Sequence, residues 1–378
     1  MPTQRPTFFS LPSELRHQIY STCFDKGLPH NPQYYQAVAS VCRRIRSEAL
    51  PILLQQARYF QSLEAFIGWT TKGNADLLRH ISNVSLHCTQ SSLHPLLTTK
   101  ASDNSSPKTQ LEPDDVSPVV PHGSRPPQRA IFPSIPNLQH LSLNLSLISR
   151  IHGNDDSHNY HGQHEDQETL LRLIATACPK LESLSLITDL IHLTCLQDFQ
   201  NLRSLKWSGY SLSTPQETLS TLNALPSLHT VRLERFPEIY DHEHHSVPTA
   251  ELRKYFSFTT DVLRDLKPLK CINISHLTSR VPSDVLTAGM LIALESHTET
   301  LTELGLGSDH FVEGAVLDQI LNVVSSFCLK RVSVRLWSVP GEYKSLKLRD
   351  YIAPSVQYCD IVLRVLGGRQ DVILEHKF

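Results

Sequence analysis

A short apolar signature, L-x-x-L-x-L, recurs along nearly the whole chain and limits its possible folds more than any other feature. It stands at Leu138 (LQHLSL), Leu181 (LESLSL), Leu202 (LRSLKW) and Leu228 (LHTVRL), then at Leu269 (LKCINI), Leu301 (LTELGL) and Leu329 (LKRVSV), with a weaker copy at Ile81 (ISNVSL). Intervals between copies are 57, 43, 21, 26, 41, 32 and 28 residues. Apolar residues arranged this way serve many short, similar units, each burying its apolar side against its neighbours.

The shortest intervals match a leucine-rich repeat of roughly 20–29 residues, and the longest match repeats carrying insertions. Within a copy, the second and third apolar residues alternate with other residues, which is the period of a strand with one buried face. Helical patterns lie between the copies: ETLLRLIATAC (168–178), PQETLSTLNAL (215–225), TAELRKYFSFTTDVLRDL (249–266), SDVLTAGMLIALES (283–296) and GAVLDQILNVVSSF (314–327). Strand alternating with helix predicts an α/β leucine-rich-repeat solenoid over residues 61–378, with parallel strands on a concave face and helices outside. Near the end, LRDYIAPSVQYCDIVLRVL (348–366) predicts a long capping helix and QDVILEH one last strand. Residues 89–130, with seven prolines, and the His- and acid-rich residues 152–167 predict disordered insertions.

Residues 1–60 differ. Ser10 or Ser13 caps a predicted helix in which Leu15, Ile19 and Cys23 lie four apart. The stretch YYQAVASVCRRIRSEALPILLQQARYF predicts a second helix, with Val38, Val41, Cys42, Ile45 and Ala49 on one stripe and Pro51 as its end or a kink. About fifty residues are marginal for independent stability, so this helical module is expected to lean on the solenoid or on a partner.

Charge is nearly balanced, with 35 basic and 37 acidic residues, which argues against a nucleic-acid partner held by bulk phosphate attraction. Residues 1–60 hold seven Lys/Arg and three acids, a local +4 against −6 for the remainder. The sequence predicts no membrane-spanning helix, and prolines in MPTQRPTFFSLP interrupt what a signal peptide would need to be apolar. The expected location is therefore cytoplasmic and/or nuclear. Eight scattered cysteines without a C-x-x-C pair read as buried, reduced thiols.

Two segments carry a family resemblance. CPKLESLSL (178–186) followed by ITD resembles the cysteine-containing leucine-rich repeats of F-box proteins, and Cys328-Leu329 repeats the arrangement without the proline. SLPSELRHQIY with VCRRIRSEALP resembles the F-box, in particular that of the F-box-like proteins of filamentous fungi. The matching positions are Leu11, Pro12, Glu14, Leu15, Arg16, Ile19, Tyr20, Val41, Cys42, Arg43, Ile45, Arg46, Glu48, Ala49 and Leu50. The resemblance implies a non-catalytic adaptor of a Skp1–cullin–F-box ubiquitin ligase. In that reading Leu11, Pro12, Leu15, Ile19, Val41 and Ile45 meet a Skp1-like protein and the repeat arc holds a protein substrate. The alternative is a repeat scaffold outside ubiquitin ligation, whose F-box-like helices only cap the solenoid.

The residues flanking the strand leucines face away from the core. They are His87, His140, Asn144, Lys206, Arg232, Glu234, Asn273, Glu303, Arg331 and Arg335. From these, His87, Asn144, Lys206, Arg232, Glu234, Arg331 and Arg335 form the expected substrate surface, its arginines suited to an acidic or phosphorylated segment. The His-rich runs His152–Asp166 and Asp241–His245 lack a frame that would fix ligand geometry, so no metal is expected. No G-x-S-x-G, P-loop or H-E-x-x-H occurs, and Gly305-Leu306-Gly307 reads as a strand end, so neither a catalytic residue nor a cofactor is expected.

Overall fold

The computed structural model describes residues 7–26, 40–55, 58–72, 75–88, 135–145, 160–235, 258–276, 288–311, 319–320, 322–323, 327–338, 356–365 and 372–377. Its strands are β1 (Arg58–Phe60), β2 (Asn83–His87), β3 (His140–Asn144), β4 (Ser183–Ile191), β5 (Ser204–Ser211), β6 (Thr230–Arg235), β7 (Cys271–His276), β8 (Glu303–Phe311), β9 (Arg331–Ser338), β10 (Tyr358–Val365) and β11 (Val372–Lys377). They form one sheet in sequence order. Pairing is parallel from β1 through β10, and β11 closes the edge antiparallel to β10. Each strand meets only its neighbours in sequence, so this is an α/β array of solenoid type.

Register explains why the signature repeats. Val84, Leu141, Leu184, Leu205, Val231, Ile272, Leu304 and Val332 stand opposite one another in one row. Leu86, Leu143, Leu186, Trp207, Leu233, Ile274, Leu306 and Val334 form the next, and both rows are buried. The leading residue of every copy, from Ile81 to Leu329, is buried too. A fully buried leucine contributes roughly 1.5–3 kcal/mol, so these three stacked rows are the main source of stability.

The backbone repeats as regularly. The carbonyl directly after each leading residue accepts two N–H groups from the next unit: Ser82 O from Gln139 and His140, Glu182 O from Arg203 and Ser204, Lys270 O from Thr302 and Glu303. Lys330 O accepts from Gln357 and Tyr358 in the same way. That bond reveals a further copy, Val356-x-x-Cys359-x-Ile361, with Val356 buried. Residues 358–365 are therefore strand β10, not the predicted end of a capping helix. The run Cys-Asp-Ile-Val-Leu-Arg-Val is rich in β-branched residues, and parallel pairing with β9 satisfies its backbone along its length. The expected last strand is β11.

The described helices are α1 (Ser13–Lys26), α2 (Arg43–Gln55), α3 (Leu63–Lys72), α4 (Ala75–Leu78), α5 (Tyr160–Ala177), α6 (Pro215–Ala224), α7 (Thr260–Asp265) and α8 (Ala288–Leu294). Leu170, Leu171 and Ile174 of α5, Leu222 of α6, Val262 and Leu263 of α7, and Met290 and Leu291 of α8 join the strand rows in one core. The start of α6 is fixed by a capping box: Thr214 Oγ1 accepts from Glu217 N at 3.2 Å, while Glu217 Oε2 accepts from Thr214 N at 2.8 Å. Buried His297, between α8 and β8, donates from Nε2 to Leu263 O at 2.8 Å and accepts from Leu269 N at Nδ1, 3.3 Å. It thus ties the β8 unit to the one before it.

Three more expectations change. Residues 160–167, read as part of a disordered insertion, begin α5. Gln167 is buried there because its amide donates to Leu145 O at 3.1 Å and its carbonyl accepts from Thr188 Oγ1 at 2.9 Å, satisfying groups beside the irregularity in β4. At that irregularity Gly209 has φ +132°, and a Cβ would lie 1.7 Å from Thr188 O, so only glycine fits. The sheet begins at Arg58, inside the segment read as helical, and α2 runs through Pro51 to Gln55. Cys23 and Cys328 are exposed, whereas Cys88, Cys178, Cys195 and Cys271 are buried as predicted. Residues 89–130, 152–159 and 241–257, including one His-rich run and the start of a predicted helix, lie outside the described residues.

Candidate partner-binding surfaces

The first surface belongs to α1 and α2. Arg16 is the hinge of their packing. Its Nε and Nη2 each donate to the Glu48 carboxylate at 2.9 Å, a bidentate pair, and its Nη1 donates to Leu11 O in the turn before α1. Tyr20, one turn on, donates its hydroxyl to the same carboxylate at 3.3 Å, and Arg44 Nε reaches it at 3.3 Å. The Arg16 guanidinium beside Glu48 holds that carboxyl far below its ordinary range, at about 2. Around this cluster Tyr20, Ala49 and Leu53 make a small core, with the Phe8 ring edge-on to Tyr20 at 5.7 Å. Leu54 belongs to the main core and Leu50 touches both, so the C-terminal half of α2 fastens the pair to the array.

Of the predicted docking residues, Ile45 packs against that small core, while Leu15, Ile19 and Val41 lie in water. Leu15 is 46% exposed, Ile19 40% and Val41 64%. Pro12 is exposed, and Leu11 and Ile45 are half-buried. Seven large apolar side chains are notably exposed among the described residues, and four of them (Phe9, Leu15, Ile19, Val41) fall before residue 42. Scattered exposed apolar residues are ordinary, but such a concentration in one small helical pair marks a surface suited to a partner. Arg44 lies over the Phe9 ring at 4.7 Å, and with exposed Arg43 it adds positive charge to the start of α2.

The second surface is the sheet face opposite the helices. All seven predicted substrate residues lie on it: Arg232, Arg331 and Arg335 exposed, His87, Asn144, Lys206 and Glu234 half-buried. It has two halves. On β2, β3 and β4 as far as Ile187 its residues are Asn83, Ser85, His87, His140, Ser142, Asn144, Ser183, Ser185 and Ile187, without an acid, lysine or arginine. From β5 onward it is charged, and much of that charge is matched internally. Lys206 Nζ lies 2.8 Å from Glu234, which also accepts from Ser208 Oγ at 3.2 Å. Arg335 donates to Asp360 at 3.0 Å, and the Arg331 guanidinium lies over the Tyr358 ring at 5.5 Å. Arg232 and Glu303 both reach the thiol of Cys271, which burial pushes up. The four cations do not converge.

Asp360 and Cys271 were not singled out by sequence. The signal for Asp360 was there, since the copy beginning at Val356 puts it in the row of Arg232 and Ser333. Burial pushes the thiols of Cys88, Cys178 and Cys195 up to about 12, so they act as packing and not as nucleophiles. Among the described residues no group of three His, Cys, Asp or Glu side chains could hold a metal ion, and no helix is long and apolar enough to cross a membrane. Set against known proteins, the chain matches no protein family and no curated protein.

Proposed function

We propose that this chain is an F-box/leucine-rich-repeat protein, the non-catalytic substrate receptor of a Skp1–cullin–F-box ubiquitin ligase in the cytoplasm or nucleus. The α1–α2 pair docks on a Skp1-like protein, and the outer sheet face holds a protein substrate. The observation that carries this reading is the exposure of Leu15, Ile19 and Val41 on a pair whose interior is closed by Arg16, Tyr20 and Glu48. An apolar stripe at i and i+4 left in water suits helix-in-groove recognition. The receptor then supplies proximity and orientation, while other subunits do the chemistry.

The second reading, a scaffold whose helices only cap the array, draws on Leu50 and Leu54, which anchor α2 to the sheet core. Capping accounts for those residues and leaves Leu15, Ile19 and Val41 without a role. Co-purification with a Skp1-like protein separates the two. The wild-type chain retains it, Leu15→Asp/Ile19→Asp loses it, and Arg232→Glu on the sheet leaves it unchanged. Failure of the wild-type chain to retain the partner favours the scaffold.

A further inference from the structure

We infer that the outer face of β6 to β9 takes an extended protein segment bearing two carboxylates four to five residues apart, in preference to a single phosphorylated residue. This rests on reading the sheet face as the substrate surface and names the class of substrate. Of the four cations named on this face, Lys206 and Arg335 are already engaged by Glu234 and Asp360, and Asp360 is 7% exposed, a fixed internal partner. Arg232 and Arg331 are the two left exposed, and among the described residues no carboxylate pairs with either.

Their separation follows from register. Arg232 stands in line with Asn273, Gly305 and Ser333, and Arg331 lies two residues before Ser333. Three inter-strand steps and two residues along a strand put the two backbones roughly 16 Å apart. The Arg331 guanidinium leans over Tyr358 on β10, away from β6, so a single phosphate does not reach both arginines. Two carboxylates on an extended chain rising about 3.3 Å per residue span it when they lie four to five residues apart. Between the arginines the row that continues from Arg232 through Asn273, Gly305 and Ser333 is low and neutral. A Cβ on Gly305 would lie 2.5 Å from Asn273 Nδ2, so the Asn273 amide lies across that position and can bond a passing backbone. Glu303, in register with Arg331, repels a continuous acidic run. Charge complementarity thus asks for two separated acids with uncharged residues between them.

Fluorescence anisotropy on the purified full chain tests this with three labelled probes on a Ser/Gly/Asn background: two glutamates four residues apart, two adjacent glutamates, and one phosphoserine. The spaced probe is expected to bind about fivefold tighter than either other, and Arg232→Glu or Arg331→Glu to erase the preference, as two separate charge contacts would allow. Thermal melts of both variants matching wild type show that the fold is kept. Tightest binding by the phosphoserine probe, no binding by the spaced probe, or indifference to both substitutions overturns the inference. No Skp1-like protein is present, so loss of the adaptor reading leaves the result interpretable, and the reverse also holds.

Discussion

The helix pair and the sheet array solve opposite problems with the same residue types. In the array, leucines stack inward in register and the flanking polar residues face water. In α1 the order is reversed: Leu15 and Ile19 face water, while Arg16 and Tyr20 pack against Glu48 and Ala49. The reversed arrangement is costly, because an enclosed ion pair seldom stabilises more than a well-packed apolar contact of the same volume. A helix that only capped the array would turn Leu15 and Ile19 inward. The array is arranged for its own stability, and the exposed side chains of α1 are what the proposed docking role would use.

Breaking the array therefore has the largest effect. Leu186→Ala removes one rung of a fully buried row and is expected to cost about 3–5 kcal/mol in urea unfolding. A loss below about 1 kcal/mol would mean that neighbouring rungs collapse into the gap and that the rows are not the main source of stability.

The sequence made this row legible because apolar alternation and burial are the same fact in a strand. All eight copies read in sequence have their three apolar positions in the core. The further copy at Val356 escaped because Val and Cys replace leucine there, and 348–366 also satisfies a helical pattern. β1 escaped because only Phe60 of its three residues marks the core side, against a strong helical run upstream. At α2 the alternation of apolar and basic residues was visible, but the Arg16–Glu48 pair, 32 residues apart, has no local signature. The same holds for the sheet face. Sequence placed Lys206, Arg232, Arg331 and Arg335 on it correctly, yet whether each cation is engaged depends on partners in other strands.

Acid distinguishes the two regions by window. Burial lowers the His297 pKa below its ordinary 6.5, so the neutral ring is the folded form and stability falls as pH drops below about 6.5. His297→Leu should flatten that slope, and it leaves Leu263 O and Leu269 N unpaired at about 1–3 kcal/mol each. Glu48 acts lower and in the other region. Its carboxyl titrates near 2 when folded against 4.5 ordinarily, so its contribution is complete above about 4.5 and lost on acidification toward 2. Hydrogen exchange across a pH series should show protection around β7–β8 weakening first and α1 opening next. Glu48→Gln should abolish the second step and weaken α1 protection already at pH 7. Protection in α1 that is indifferent to pH below 4.5 would detach Glu48 from the packing of the pair.

The smallest expected effect on stability is the most informative. Leu15→Asp/Ile19→Asp replaces two leucine-sized apolar groups by carboxylates, a change that would unfold the array if made in any of its rows. On α1 both side chains already lie partly in water, so unfolding should shift by no more than about 0.5 kcal/mol per site. The new acids stand at i and i+4, a repulsion of about 0.2–0.5 kcal/mol that stays within that bound, in a stretch with a local excess of basic residues. A chain that keeps its melt, keeps its hydrogen-exchange pattern and loses its Skp1-like partner would place the function of these residues outside the fold. A large drop in stability would instead mean that Leu15 and Ile19 are covered in solution by the chain itself, and the contrast between helix pair and array would disappear.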